Sequence, residues 1–157
     1  MPKKEEICCP KFNPKTWDDK ILTWKDKLFV KGKVLTLFYI PLTFGKAIVG
    51  IFKDMEKAKA KATGLCLSDH TKWNMDIYVE TDKAVKGRTN VTMSGRFYSK
   101  VYEGPYKDTD KWYADFTKRM KAKKLKMGKL YMWYNYCPKC AKKYGKQYTT
   151  MIAKIDE

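Results

Sequence analysis

Apolar residues recur at helical spacing in two separate stretches of the chain, each of which follows a residue suited to a helix N-terminus. Thr43 precedes the first stretch and Asp108 precedes the second. Because residues three and four positions apart lie on one face of a helix, each stretch predicts a helix with one buried face. The apolar positions are Phe44, Ala47, Ile48, Ile51, Phe52 and Met55 in the first stretch, and Trp112, Tyr113, Phe116 and Met120 in the second.

Runs of β-branched and aromatic residues flank both predicted helices and predict strands. The run WNMDIYVE, residues 73–80, alternates polar and apolar positions as a half-buried strand does. The chain therefore reads strand, helix, strand, strand twice, with a loop at 81–90 between the halves. The other predicted strands are KVLTLFYI from Lys33, LCLSDH at 65–70, VTMSGRFYSKVYE from Val91, KLYMWYNY from Lys129 and YTTMIAKI ending at Ile155.

The two halves match each other when the sequence is shifted by 64 residues. Pro41 then meets Pro105, and Phe52 meets Phe116. Strands and helices joined by short loops favour an α+β fold. We therefore expect two strand-helix-strand-strand repeats that form a mainly antiparallel sheet with two helices, and a ligand cleft between the repeats. The expected organisation is a single domain over 1–157, with an N-terminal extension at 1–30, repeat one at 31–83 and repeat two at 91–157.

The composition is strongly basic, with a formal net charge of +17 over 157 residues. Such a charge attracts polyanions, yet among the 34 basic residues only Arg88, Arg96 and Arg119 are arginine. Specific reading of base edges favours the bidentate arginine side chain, whereas charge alone gives attraction without sequence preference. A specific nucleic-acid partner is therefore disfavoured, and a lysine-rich, non-specific nucleic-acid binder stays an alternative.

No signal peptide is evident, because MPKKEEICCPKF lacks an apolar stretch of about seven or more residues. The most membrane-like window, residues 34–52, contains Pro41, Gly45 and Lys46 near its centre. A charged residue at the centre of a bilayer is costly. We therefore expect a cytoplasmic protein with no membrane partner, in which this window forms a buried strand followed by a helix.

Two glutamates, Glu80 and Glu103, are the candidate catalytic residues. Glu80 alternates with Tyr78 and Asp76 along one face of its predicted strand, so it shares a surface with an aromatic ring. Glu103 ends a predicted strand before a Gly-Pro corner. A carboxylate beside aromatic rings attracts a cationic ligand, or acts as a general base toward water if desolvation raises its pKa. The alternative for either residue is a solvated glutamate at a strand end.

Aromatic residues are concentrated along the predicted strand LYMWYNY, which begins at Leu130. One face of this strand is expected to join the core. The other face lines either a cleft or the surface on which the extension docks, because so much aromatic surface is rarely left in water. Core packing is the alternative for each residue taken alone. The candidate ligand-binding residues are Tyr39, Trp73, Tyr78, Tyr102, Trp133 and Tyr134.

Four cysteines near the two ends of the chain are the candidate metal ligands. Cys137 and Cys140 have the C-x-x-C spacing of a zinc knuckle, and Cys8 and Cys9 would complete four thiolates if the extension crossed to that turn. Adjacent cysteines chelate one ion awkwardly, so two alternatives stay open: thiols that pack the extension against the turn, and a redox pair. No cofactor is certain on these grounds, and zinc is the candidate.

The segment SKVYEGPYKDTDKWYADF, residues 99–116, resembles the strand, Gly-Pro-Tyr corner and helix of the GyrI-like family of small-molecule-binding domains. The cysteine-containing ends ICCPKF and CPKCAKKYGK look like a stand-alone, hydrolase-like branch of that family. The resemblance implies a cleft between two repeats that takes up hydrophobic, often cationic or aromatic compounds. In a few members it also implies a glutamate that hydrolyses a reactive ligand.

We therefore predict a stand-alone small-molecule-binding protein with an aromatic, glutamate-bearing cleft for hydrophobic or cationic compounds, and with hydrolysis of a reactive ligand as a further option. The alternatives are a zinc- or thiol-dependent binding protein that acts through CPKC, and the non-specific nucleic-acid binder. The three functions need different residues. The first needs Glu80 or Glu103, the second needs Cys137, and the third needs only surface lysines.

Overall fold

The computed structural model describes residues 12–37, 40–41, 44–70, 74–135 and 142–156. Within these ranges, no helix is both long and apolar enough to cross a membrane. The helices are α1 (Pro14–Trp17), α2 (Phe44–Lys57) and α3 (Thr109–Ala122), with a 3-10 turn (Tyr106–Asp108) before α3. The strands are β1 (Lys20–Leu37), β2 (Ile40–Pro41), β3 (Ala62–His70), β4 (Asn74–Thr81), β5 (Thr89–Glu103), β6 (Lys126–Tyr134) and β7 (Tyr148–Asp156).

The chain divides into two compact units. The middle unit is Thr23–Gly95, and the terminal unit combines Met1–Leu22 with Arg96–Glu157. In the middle unit β4 lies between β1 and β3, and both neighbours run antiparallel to it. In the terminal unit β7 lies between β5 and β6, again antiparallel to both. An α+β fold with a mainly antiparallel sheet is therefore confirmed, whereas the repeats and the cleft stay predictions.

An apolar layer between α2 and one face of its sheet forms the core of the middle unit. Ile51 and Met55 of α2 cluster there with Ile77 and Val79 of β4, and all four are almost completely buried. The predicted helical face is correct at these two α2 positions. Phe52 is predicted on the same face but is 44% exposed, because it lies at the edge of the apolar face of α2.

The corresponding layer of the terminal unit lies under α3. Trp112, Phe116 and Met120 of α3 are buried and cluster with residues of all three strands, among them Tyr98. These three positions agree with the prediction. Tyr113 was expected on the same face but is 46% exposed, because a rotation of about 100° per residue carries it to the edge of the apolar stripe.

The first strand begins at Lys20, inside the predicted N-terminal extension, instead of at Lys33. Its early part escapes prediction because the alternation of residues is interrupted at Asp26, whose φ of 50° is unusual in a strand. The backbone N–H of Asp26 donates to the Oγ of Ser94 at 2.7 Å. Residues 20–30 therefore belong to a strand.

Candidate functional site

Alternate side chains of β4 lie on opposite faces of the sheet. One face joins the core of the middle unit, and the other is more polar. Ile77 and Val79 enter the layer under α2, which directs Asp76, Tyr78 and Glu80 to the opposite face. Tyr78 is buried and Glu80 is partly buried. This face therefore brings a carboxylate and an aromatic ring together where little water reaches them.

The Glu80 carboxylate is bonded through both of its oxygens. Oε2 accepts a hydrogen bond from the ammonium of Lys27 at 2.7 Å, and Oε1 accepts one from the backbone N–H of Leu65 at 3.2 Å. The Glu80 side chain is only 14% exposed. A carboxylate withdrawn from water favours a cationic partner, and in this structure that partner is Lys27.

One aromatic ring of β1 contacts this ion pair, and two further rings continue from it. The Nζ atom of Lys27 lies 5.5 Å from the centroid of the Trp24 ring, within the range of a cation-π contact. Trp24 packs on Phe29 with centroids 6.2 Å apart, and Phe29 meets Tyr78 edge to face at 6.5 Å. We call Trp24, Lys27, Phe29, Tyr78 and Glu80 the Glu80 cluster. It holds an ammonium between a carboxylate and an indole.

Sequence reasoning identified only two members of this cluster, Tyr78 and Glu80. The other three lie in the segment that was predicted to be an extension. Phe29 is the direct partner of Glu80 across β1 and β4. A strand prediction that tolerated the break at Asp26 would have placed Lys27 and Phe29 on one face of β1, whereas their pairing with Glu80 depends on the register between the two strands.

Glu103, the second predicted catalytic residue, ends β5 in the terminal unit. It lies directly opposite Tyr148 of β7. The side chain is exposed, and within the described ranges no hydrogen bond or ion pair holds it. In that unit Glu103 therefore lacks the burial and the charged partner that distinguish Glu80.

Tyr102 and Tyr134, both predicted to bind ligand, take part in the contact between the terminal sheet and α3. The Tyr102 ring stacks on Trp112 with centroids 5.7 Å apart, and its hydroxyl donates a hydrogen bond to Asp115 at 2.7 Å. Burial, reinforced by the hydrogen bond to Asp115, raises the pKa of Tyr102, so the phenol stays protonated. Tyr134 packs into the same cluster of apolar residues.

Trp133 lies under the N-terminal segment. The ring centroids of Phe12 and Trp17 are 5.5 and 5.0 Å from that of Trp133, and both pairs meet edge to face. The hydroxyl of Ser99 also donates a hydrogen bond to the backbone carbonyl of Trp17. Trp133 of β6 therefore packs against residues of the N-terminal segment. Docking of this segment is one of the two roles predicted for the face of the strand that does not join the core.

Six predicted site residues lie outside the described residues, namely Tyr39, Trp73, Cys8, Cys9, Cys137 and Cys140. The zinc site therefore stays a prediction. In the described part of the chain, no group of three or more His, Cys, Asp and Glu side chains could hold a metal ion. Cys66 is described and packs beside the α2 core, where burial raises the pKa of its thiol to about 11. It is consequently a thiol at neutral pH.

The sequence matches the model of a family described as Bacterial hydrolase over residues 1–155. Because the match covers nearly the whole chain, the protein belongs to this family. No curated protein matches the sequence significantly. The family description is that of the whole matched chain and assigns no reaction to any residue.

Solved structures share the fold at low sequence identity. The EcmrR C-terminal domain superposes with a TM-score of 0.72 at 10% identity, over 90% of this chain and 98% of that domain. An uncharacterized conserved protein from Listeria innocua gives 0.66 at 11% identity, over 88% and 92% of the two chains. A hydrolase from the same organism gives 0.65 at 12% identity, over 98% and 96%. At such identities these similarities concern the fold alone.

Proposed function

We propose that this protein binds small hydrophobic or cationic compounds and that the Glu80 cluster is its recognition element. The observation that carries the proposal is the pair of contacts made by Lys27, whose ammonium lies 2.7 Å from the Glu80 carboxylate and 5.5 Å from the Trp24 ring centroid. A carboxylate combined with an aromatic face is a general means of binding organic cations. The resemblance to the GyrI-like family supports the same class of ligand.

An incoming cation would compete with Lys27 for the Glu80 carboxylate. The Lys27 side chain is 28% exposed and has a flexible four-carbon stem. Its ammonium can therefore withdraw into water while the carboxylate and the indole stay in place. A cation with delocalised charge is hydrated more weakly than an ammonium, so the exchange favours bulky aromatic cations.

Hydrolysis of a reactive ligand is a second proposed activity of the same carboxylate. With Lys27 in place, both Glu80 oxygens already accept hydrogen bonds and are poorly placed to take a proton from water. Withdrawal of the ammonium would free Oε2 to orient and deprotonate a water molecule. Binding therefore comes first, and hydrolysis depends on the departure of Lys27 from Glu80.

The test of this proposal is the binding of rhodamine 6G, a fluorescent aromatic cation, followed by fluorescence anisotropy. Glu80→Gln should weaken binding by about tenfold or more, because a charge-assisted contact is lost. Lys27→Met should strengthen binding, because the internal competitor disappears while an apolar stem remains. The double variant Lys27→Met/Glu80→Gln, which is neutral at both positions, should bind as weakly as Glu80→Gln.

Two further variants locate the effect. Glu56→Gln removes the same charge from an exposed position on α2 and should leave the affinity unchanged. Glu103→Gln examines the other predicted carboxylate, and a selective loss there would move the site to the terminal unit. Thermal unfolding followed by circular dichroism separates loss of fold from loss of binding. Equal dye affinity in the unmodified protein, Glu80→Gln and Glu103→Gln would refute the proposal.

A further inference from the structure

We propose that a bulge in β3 positions the Glu80 carboxylate and makes the site selective for cations that need only one carboxylate oxygen. The bulge serves the same carboxylate as the proposed function, on which this inference rests. Pairing of β3 with β4 stops at Ala62 and resumes at Cys66. The three residues between them, 63–65, face a single residue of β4, which is Glu80. Bulges of this kind often re-aim a side chain beside a functional site.

The bulge directs a backbone donor of β3 toward the carboxylate. Leu65 lacks a register partner in the described part of β4, and its N–H donates to Glu80 Oε1 at 3.2 Å. Leu65 is only 4% exposed, so its buried side chain anchors this N–H. Because the backbone holds Oε1, the carboxylate keeps its direction when the Lys27 ammonium leaves Oε2.

Gly64 gives the bulge its shape and leaves room beside the carboxylate. Its φ of 135° lies in a region that L side chains rarely adopt. A Cβ atom built on Gly64 would lie 3.9 Å from Glu80 Oε1, and among the described residues no other atom comes within 4 Å of it. Gly64 is exposed. The carboxylate is therefore bordered here by exposed backbone and by no side chain.

Contacts on both sides of the bulge fix it in place. On the N-terminal side, the N–H of Lys61 donates to Asp82 Oδ1 at 2.8 Å, and the N–H of Asp82 donates to the Lys61 carbonyl at 3.0 Å. On the C-terminal side, Cys66 packs against the α2 core. The bulge is therefore formed before a ligand arrives, which lowers the entropic cost of binding.

A second bulge, in β6 of the terminal unit, differs from the first in what it faces. It contains Gly128 and Lys129, and the residue of β7 opposite is Lys154. A Cβ atom added at Gly128 would lie 3.1 Å from the Lys154 carbonyl oxygen, so this glycine serves the close approach of two backbones. Of these two bulges, only the one in β3 faces a carboxylate. Strand packing alone therefore does not account for the contact between Leu65 and Glu80.

The hydrogen bond from Leu65 determines which cations suit the site. A guanidinium group gains most when its planar fork engages both oxygens of a carboxylate. At Glu80 such a fork must share Oε1 with the Leu65 N–H. A quaternary ammonium group has no N–H to direct, so it needs only the charge at Oε2 and the face of Trp24, where the Lys27 ammonium lies. The site should therefore prefer quaternary ammonium ligands to guanidinium ligands.

The first test examines positioning without any ligand, by NMR of the isotope-labelled protein. An amide proton bonded to a carboxylate is shifted downfield, so Glu80→Gln should move the Leu65 amide signal upfield. Gly64→Ala should move this signal in the same direction, because alanine at a positive φ forces the bulge to rearrange. Gly87→Ala is the matched control. Gly87 also has a positive φ, of 86°, but no atom of the described residues lies within 4 Å of its Cβ position.

The second test measures selectivity by isothermal titration calorimetry. Benzyltrimethylammonium and benzylguanidine share an aromatic ring and a single positive charge, and differ in the cationic group. The unmodified protein should bind the quaternary ammonium about tenfold more tightly than the guanidine. Gly64→Ala should lower this ratio to about threefold or less, because Oε1 becomes available to the fork. Gly87→Ala should leave the ratio unchanged.

Three outcomes would overturn the inference. One is a Leu65 amide signal that Glu80→Gln leaves in place. Another is an equal ligand ratio in Gly64→Ala and Gly87→Ala, and the third is tighter binding of benzylguanidine by the unmodified protein. The first and third need no variant at Gly64, so they decide the matter even if Gly64→Ala does not fold.

The proposed function can fail separately. Rhodamine 6G binding that Glu80→Gln leaves unchanged would refute that function, and the Leu65 amide signal would still decide whether the bulge positions the carboxylate. Conversely, rhodamine binding that depends on Glu80, combined with a Leu65 signal that does not, would overturn the role of the bulge alone.

Discussion

At the scale of single residues, Tyr98 links the strand β5 to the N-terminal segment through a hydrogen bond whose strength depends on pH. Its hydroxyl donates to the Asp19 carboxylate at 2.6 Å, and Lys123 lies 3.4 Å from the same carboxylate. The hydrogen bond from Tyr98 lowers the pKa of Asp19. Burial, followed by the bond to Asp19, raises the pKa of Tyr98. The bond therefore joins a neutral phenol to an ionised carboxylate.

Tyr98→Phe should lower the free energy of unfolding by about 1 kcal/mol at pH 7, a modest value because Asp19 is well exposed to solvent. The lowered pKa of Asp19 stabilises the fold above the unfolded value of about 3.9, and this contribution is lost as the pH falls through the folded pKa. The raised pKa of Tyr98 stabilises the fold below about pH 10, and this contribution is lost as the pH rises through the folded pKa. Urea unfolding between pH 2 and 10 should show the largest deficit from about pH 5 to 9.

The matched control is Tyr113→Phe, which removes a hydroxyl from an exposed tyrosine of α3. It should change stability little at any pH. A deficit for Tyr98→Phe that persists undiminished at pH 2, where carboxylates are protonated, would contradict the role assigned to Asp19.

At the scale of elements, the contact between β1 and α2 is set by a glycine. A Cβ atom added at Gly32 would lie 2.6 Å from Cδ1 of Ile51 and 3.3 Å from Cγ1 of Ile77. Contacts this short require the Ile51 side chain or the helix itself to shift. Gly32 therefore allows the helix to approach the strand closely, and the buried apolar layer of the middle unit depends on that approach.

Gly32→Ala should destabilise the protein by about 1–3 kcal/mol through overpacking. Ile51→Val deletes Cδ1, the atom that the new methyl group would meet, and should by itself cost about 0.5–1.5 kcal/mol. The double variant should then be more stable than the sum of the two single effects predicts. Urea unfolding of the four proteins measures this coupling. Strictly additive effects would mean that the new methyl group does not press on the Ile51 side chain.

Prediction of elements from the sequence succeeded where the pattern is local and uninterrupted. The predicted helices after Thr43 and Asp108 correspond to α2 and α3, and their central apolar residues are buried. The first strand was predicted too short because Asp26 interrupts its pattern with a positive φ. As a result, Lys27 was assigned to an extension when it is the partner of Glu80.

At the scale of the whole molecule, the dominant property is its net charge of +17. Exposed lysines without a carboxylate partner in the described ranges continue from the end of α3 into the start of β6, at Lys118, Lys121, Lys124 and Lys126. Lysine attracts nucleic-acid phosphates but reads bases poorly. This charge therefore supports general attraction to polyanions. It does not bear on the cytoplasmic location, which stays a prediction.

We expect the protein to bind duplex DNA weakly, with the same affinity for unrelated sequences. The logarithm of the association constant should fall linearly with the logarithm of the salt concentration, with a slope of about −0.9 for each phosphate contact. Fluorescence anisotropy with two unrelated duplexes, measured between about 50 and 200 mM salt, checks both points. More than about tenfold preference for one sequence would contradict this expectation and favour a specific nucleic-acid function.

The sequence by itself determined the order of the elements, the buried faces of both helices, the alternation that turns Glu80 and Tyr78 to one side of β4, and the excess of positive charge. These features follow from spacings of two to four residues and from composition, so they need no knowledge of distant contacts. The partners of the functional residues were decided only by the tertiary structure. Lys27 and Glu80 are 53 residues apart in sequence, and the structural ion pair of Arg88 with Asp54 joins residues 34 apart. Such pairs depend on strand register and on how a helix packs over its sheet. Local spacing of residues does not specify either of these.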